Sequence, residues 1–342
     1  MIRRAHYLLF IFMSLLFVAA LLIDLFVGSV HIPFKDSIQI ITGHSENSNW
    51  SYILLQMRLP RVLNAIITGS GLAVAGLMMQ TLFRNPLAGP YVLGISSGSS
   101  LGVAVYVMAF GIFDLFKQTV LYNYGQAASA VLGALIVFIL MVIVASHVHD
   151  SVSLLIVGIM IGSLTTAVVS ILQYFSRPEL LQKFVIWTLG SLSSAGWSQI
   201  LVIICFVIPG IALSVVLIKP MNAMLLGELN AEVTGVNVIK VRYFILLATS
   251  IIVGALTAFN GPIAFIGLVV PHMARMLFSS TNHRIITPAS ILSGTILLLI
   301  CDTISQVPGQ YIILPINAVT AIFGAPVVIW IILGKRKLKL AF

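Results

Sequence analysis

The chain of 342 residues is 60% hydrophobic and only 8% charged, whereas a soluble domain carries about 25% charged residues. No aqueous fold could bury so much apolar surface, and the net charge of +9 finds no soluble domain on which nucleic acid could be bound. A transmembrane β-barrel is excluded too, because the apolar runs are continuous and do not alternate over segments of about ten residues.

A helix that crosses a bilayer needs about 20 predominantly apolar residues. Such runs occur at 7–28, 59–81, 91–110, 127–146, 152–172, 200–218, 243–259, 262–278, 286–304 and 312–333, ten in all. The first follows Arg3, Arg4 and His6. Its apolar run is long for a signal peptide and has no clear small-residue cleavage site, so it is expected to remain as a mature helix.

The distribution of Lys and Arg sets the orientation. With both termini cytoplasmic, the inner set is Arg3, Arg4, Arg84, Lys219, Lys240, Arg242, Arg275, Arg284, Lys335, Arg336, Lys337 and Lys339, and the outer set is Lys35, Arg58, Arg61, Lys117, Arg177 and Lys183. Twelve against six favours that topology, and an even number of spans agrees with it. The expected fold class is therefore all-α, a polytopic membrane protein forming a single transmembrane domain over 1–342.

In chain order, an outer loop at 29–58 carries His31, His44 and Trp50. The stretches Thr68–Gly76 and Gly94–Gly102 are rich in small residues, which suit either close helix packing or a wide pathway. Breaks are expected at Asn85-Pro86, at Gly261-Pro262 and around Pro271, because proline frees backbone groups that protein or a cavity must then satisfy. His147, His149 and Asp150 cluster in a short cytoplasmic turn; a solvated turn suits them better than a metal site, which needs further ligands. Cys205 and Cys301 lie inside spans without a CxxC or CxxH partner, and read as small membrane-buried residues. The polar interruption at 219–242 is long enough for one or two short helices. The halves 59–172 and 243–333 hold four spans each and start from opposite sides, the arithmetic of an inverted repeat.

Ordered blocks run through the chain: RLPR (58–61), GSGLAVAGLMMQ (69–80), RNPLAGPYVLGISSGSSLG (84–102), LGELNAEVTGV (226–236), GPIAFIGLVVPHMAR (261–275), NHR (282–284) and LPINAVTAIFGAPVVIW (314–330). Together they resemble the iron-chelate and cobalamin permeases of type II ABC importers, over nearly the whole chain beyond the first span. The resemblance implies a multi-pass permease subunit of the bacterial cytoplasmic (inner) membrane that moves an iron chelate, siderophore or haem, with cobalamin as the alternative. It also implies a second permease copy, cytoplasmic ABC ATPase subunits and an extracytoplasmic substrate-binding protein as partners, with no cofactor.

The resemblance makes the 220–240 region the coupling segment, with Gly227, Glu228, Ala231, Glu232 and Gly235 at the ATPase. Residues 228, 231, 232 and 235 have the spacing of one helical face. Arg58 and Arg61 correspond to the pair that receives carboxylates of the binding protein, a task suited to a planar guanidinium; otherwise they would anchor a helix end. Where relatives often carry a third arginine, this chain has Gln306, four residues after Asp302. Ser151 and Val152 correspond to the cytoplasmic gate, and His272 is expected to pack between helices.

Two other classes fit less well. An ion-coupled secondary transporter would place ionisable residues near the midplane, whereas Asp24 and Asp302 lie near the outer ends of their spans. An intramembrane enzyme would need a motif such as HExxH or a carboxylate pair deep in the spans, and neither occurs. The GxxxxGK[ST] phosphate loop is missing as well, so the energy of transport must come from another subunit.

Overall fold

The computed structural model describes residues 2–28, 30, 32–42, 48–110, 120–148, 151–306 and 313–333. All of the regular structure among them is helical. In chain order the helices are α1 (Ile2–Phe26), α2 (Phe34–Ile41), α3 (Ser48–Tyr52), α4 (Leu59–Leu82), α5 (Ile95–Ala104), α6 (Val120–His147), α7 (Ser151–Tyr174), α8 (Pro178–Thr188), α9 (Trp197–Val216), α10 (Ile218–Met224), α11 (Glu228–Val233), α12 (Val238–Asn260), α13 (Ile266–Phe278), α14 (His283–Gln306) and α15 (Ile316–Leu333). A wider helical turn at Ile53–Arg58 joins α3 to α4, giving one apolar rod from Asn49 to Leu82.

Among the described residues seven helices are long and apolar enough to cross a bilayer, and three shorter apolar ones occupy 95–109, 266–278 and 316–330. In order they overlap the ten expected spans. The second span differs most, because the segment expected to be loop up to residue 58 is already helical from Ser48. Arg58 and Arg61 consequently stand well inside a helix and do not mark its outer tip.

Burial divides the spans. The most apolar windows of the α4 rod, α12 and α14 are 83%, 78% and 67% buried, whereas those of α1, α6, α7 and α9 are between 22% and 33% buried. The first three form the interior, and the others offer most of their surface to lipid or to partners. Small residues make the interior dense. A Cβ placed on Gly76 would lie 1.6 Å from the carbonyl oxygen of Gly267 in α13, and one on Gly69 would lie 2.4 Å from that of Gly294 in α14. Lipid tails are as apolar as leucine, so close backbone approach supplies much of the attraction between membrane helices. Residues 68–76 are all buried, and their smallness serves packing.

Candidate functional site

At the outer end three helices meet on one guanidinium. Arg61 of α4 approaches Asp302 of α14 with Nε 2.8 Å from Oδ2, and Asp24 of α1 with Nη2 3.7 Å from Oδ1. It also donates to the Gln306 side-chain oxygen and, at 3.2 Å, to the Asp24 carbonyl. Thr303 donates to Asp24 Oδ1 at 3.0 Å. Arg58 turns toward the end of α1 and donates to the carbonyls of Leu25 (3.2 Å), Phe26 (2.8 Å) and Val30, which caps orphan acceptors at a helix C-terminus. Arg58 is 3% and Arg61 6% exposed, and Gln306 is buried beside them as a partner of Arg61. Sequence showed the acids and the arginines but could not show that opposite ends of the chain converge on one another.

One helical turn inward of Arg61 lies a neutral polar junction. Asn64 of α4 and Asn260 of α12 bond reciprocally, Nδ2 of Asn64 to Oδ1 of Asn260 at 2.7 Å and the reverse at 3.1 Å. Asn260 also donates to Thr68 at 2.9 Å, and Asn64 to the Leu192 carbonyl at 2.9 Å. The expected break at Gly261-Pro262 is present: α12 stops at Asn260, Gly261 takes φ +72°, and helix resumes at Ile266. Freed backbone groups there have partners. Asn317 accepts from the Ala264 amide at 3.1 Å, Tyr91 donates to the Ile263 carbonyl, and the Ser191 amide donates to the Asn260 carbonyl at 2.9 Å. Irregular backbone at membrane depth is tolerated on those terms. Pro271, by contrast, sits within α13 without ending it.

At the opposite end the 219–242 interruption holds α10 and α11, as its length allowed. Gly227 (φ +106°) and Gly235 (φ +84°) bracket α11. Its C-terminus closes with Val236 N–H to the Ala231 carbonyl and Gly235 N–H to the Glu232 carbonyl, 3.1 and 2.9 Å, the paired bonds of a Schellman end. Asn237 then caps α12 by accepting from the Lys240 amide at 2.9 Å.

The residues expected to share the outward side of α11 do not all do so. Ala231 is fully buried, and Glu228 is half-buried against Arg242, at 3.1 Å. Glu232 and Gly235 are exposed. The outward surface is instead apolar: Leu226, Leu229 and Val233 are 66%, 80% and 89% exposed. Their i, i+3 and i+7 spacing is readable in the sequence.

Val152, at the start of α7, is exposed, and Ser151 is its first residue; nothing is described of the Ser151 side chain. His149 and Asp150 lie outside the described residues, while His147 bonds the Ile143 carbonyl at 2.9 Å. No group of three or more His, Cys, Asp or Glu suited to a metal occurs among the described residues. Cys205 lies on the exposed side of α9 and Cys301 is buried in α14, both free and both within helices long and apolar enough to cross a bilayer. His272 is buried in α13. A cleft of about 550 Å³ opens on α7 and is lined by Tyr91, Ser97, Gly158, Ile159, Gly162, Ser163, Thr166, Ala167 and Ser170, with no charged residue.

Interior helices with an uncharged midplane, outer ion pairs and a protruding cytoplasmic helix define a membrane permease. The model of the FecCD transport family matches residues 15–334, and this chain belongs to that family. It is 37% identical over 324 residues to the hemin transport system permease protein HmuU of Yersinia pestis, covering 94% of this chain and 95% of that one. It is 34% identical over 325 residues to the vitamin B12 import system permease protein BtuC of Klebsiella pneumoniae (95% and 93%), and 30% identical over 323 residues to the molybdate import system permease protein MolB of Haemophilus influenzae (92% and 92%). Among solved structures it resembles a chain of a metal-chelate type ABC transporter in an inward-facing conformation, with TM-score 0.81 and 27% identity over 97% of this chain and 99% of that one. The chain is thus a permease subunit of a type II ABC importer, a multi-pass protein of the bacterial inner membrane.

Proposed function

We propose that this permease carries an iron chelate, with haem preferred to a siderophore, and that a separate ATPase docked on α11 drives it. The apolar stripe of Leu226, Leu229 and Val233 carries the docking half of this proposal. Large apolar side chains bracketed by two positive-φ glycines on a cytoplasmic projection have no lipid to meet, and a partner groove is what would cover them. The chelate half rests on the uncharged cleft of small and hydroxyl-bearing residues along α7, together with the similarity to a hemin permease. Ser163, Thr166 and Ser170 direct their hydroxyls to their own helix backbone, at 2.8–3.0 Å, which leaves the wall smooth and without dedicated ligands for bulky cargo.

The low burial of α7 also suits a second copy of the chain across that cleft, forming a homodimer with the pathway between the copies. At the outer face, recognition of the binding protein falls to exposed Lys35, Arg177 and Lys183, since Arg58, Arg61 and Gln306 are engaged inside; those three buried groups shape the docking rim from beneath. Cobalamin is the second candidate cargo, favoured by the similarity to BtuC. Uptake of ⁵⁵Fe-haemin, a ⁵⁵Fe-loaded siderophore and labelled cyanocobalamin into proteoliposomes holding permease, ATPase and binding protein tests the choice. Haemin accumulation dependent on ATP supports the proposal, and accumulation of cobalamin alone replaces it.

A further inference from the structure

Arg242 joins two parts of the cytoplasmic face that are far apart in sequence. It stands near the start of α12, with its side chain 4% exposed. One end of its guanidinium, Nη2, lies 3.1 Å from Oε1 of Glu228, the first residue of α11. The other, Nη1, donates at 3.1 Å to the backbone carbonyl of Val148, one residue past the end of α6 and three before α7 starts at Ser151. A planar fork with donors at fixed angles can hold a carboxylate and a carbonyl at once; a neutral side chain or a compact ammonium cannot hold both in the same way. The Val148 carbonyl also belongs to the negative end of the α6 dipole, where a cation is favoured.

The other end of the projecting segment is fixed separately. Asn222 of α10 accepts from the His283 amide at 2.9 Å and lies 2.8 Å from His283 Nδ1, while His283 Nε2 lies 2.8 Å from the Thr81 hydroxyl. Thus α10 is tied to α14 and α4, in the buried interior. The first turn of α11 is tied through Arg242 to the turn that leads into α7, among the least buried of the long spans. A force applied to α11 therefore has a stationary anchor at Asn222 and a lever at Arg242.

We propose that Arg242 is the positioning residue that transmits movement of α11 to the end of α6 at Val148, and so to the cytoplasmic gate assigned to Ser151 and Val152. This rests on α11 being the ATPase-docking helix, as argued above. Among the described residues the link has these two arms, to Glu228 and to Val148, and both must be intact. Restoring the ion pair alone, in the exchange Glu228→Arg with Arg242→Glu, would set a carboxylate against the Val148 carbonyl, which it cannot serve as a donor.

The test uses the permease with its cognate ATPase in nanodiscs, in a background carrying Cys205→Ser and Val152→Cys. The readouts are the rate at which a water-soluble maleimide alkylates the thiol introduced at the gate, with and without a non-hydrolysable ATP analogue, copurification of the ATPase, and ATP hydrolysis. With Arg242 intact, nucleotide should change the alkylation rate about tenfold, within the usual range of coupling between sites. Arg242→Gln should copurify and hydrolyse ATP while losing the nucleotide response. Arg242→Lys should keep part of it, and the charge exchange should not restore it. A full nucleotide response in Arg242→Gln overturns the proposal, as does full rescue by the exchange, since the ion pair alone would then suffice. Loss of ATPase copurification in both Arg242→Gln and Arg242→Lys also overturns it, because Arg242 would then build the docking surface itself. Leu229→Glu keeps the two ideas apart: if that variant still copurifies the ATPase, the docking assignment fails, whatever the Arg242 variants show.

Discussion

Arg61 Nε lies 2.8 Å from Asp302 Oδ2 between side chains that are 8% and 4% exposed, and the same guanidinium faces Asp24. Removing one partner of a buried ion pair costs about 3–5 kcal/mol because the remaining charge has no counterpart. Arg61→Gln would leave two carboxylates close together, so its cost should reach that range. Thermal unfolding of the purified permease in detergent checks this: a melting temperature equal to the native one would show that the pair adds nothing to the fold. A charge reversal at Arg61 would accordingly report on folding before it reported on any binding protein.

Two glycines should respond oppositely to one added methyl. At Gly76 the new Cβ would lie 1.6 Å from the Gly267 carbonyl, and backbone of α13 would have to move, whereas at Gly162 the nearest atom is Ser97 Oγ at 3.6 Å, an ordinary contact. Overpacking costs about 1–3 kcal/mol or more. Gly76→Ala should fall sharply in membrane expression and melting temperature while Gly162→Ala holds both. Equal behaviour of the two variants would refute close packing of α4 on α13.

The ten spans were legible because a bilayer imposes a length and a polarity on every crossing helix. The breaks at Asn85-Pro86 and Gly261-Pro262 were legible for a related reason, since proline and glycine constrain backbone locally. Three things were not legible. The helix over Ser48–Arg58 was hidden by its polar start and by charged Arg58, whose guanidinium finds its partners in the last carbonyls of α1. The convergence of Asp24, Arg61 and Asp302 depends on how α1, α4 and α14 pack, and no local pattern encodes that. The outward side of α11 is hidden because helical spacing shows which residues share a face without showing which face turns inward; the buried Ala231 decides it.

Asn64 and Asn260 satisfy each other in the interior, so losing both should cost less than the sum of losing each. Asn64→Leu would take the donor from the Asn260 side-chain oxygen while its NH2 keeps Thr68, and an unsatisfied buried polar group costs about 1–3 kcal/mol. The double change Asn64→Leu with Asn260→Leu removes the reciprocal bonds together, though the Leu192 carbonyl and Thr68 still lose a partner. A double-mutant cycle on unfolding should therefore be non-additive, with the pair less destabilising than the sum of the singles. Strict additivity would mean that the two asparagines act independently.

The docking surface of α11 makes the sharpest separation between chemistry inside the permease and chemistry at a partner. Leu229 and Val233 are exposed, so replacing them with Glu should leave the melting temperature of the isolated permease almost unchanged. If a partner groove covers them, each loses the burial of a large apolar side chain, about 1.5–3 kcal/mol, and the pair together should weaken ATPase binding by more than about a hundredfold. Association resting on apolar burial should also change little with added salt, unlike one resting on exposed ion pairs, which salt screens. Glu228→Lys should behave differently. It would set an ammonium against the Arg242 guanidinium, disturbing the first turn of α11 and the Val148 contact, and should lower the stability of the permease itself. Copurification of the ATPase across a salt series, read beside the melting curve of each variant, checks both expectations. Leu229→Glu with Val233→Glu retaining the ATPase would leave the stripe unassigned, and an unchanged melting curve for Glu228→Lys would mean that the Glu228–Arg242 pair does not hold α11 in place.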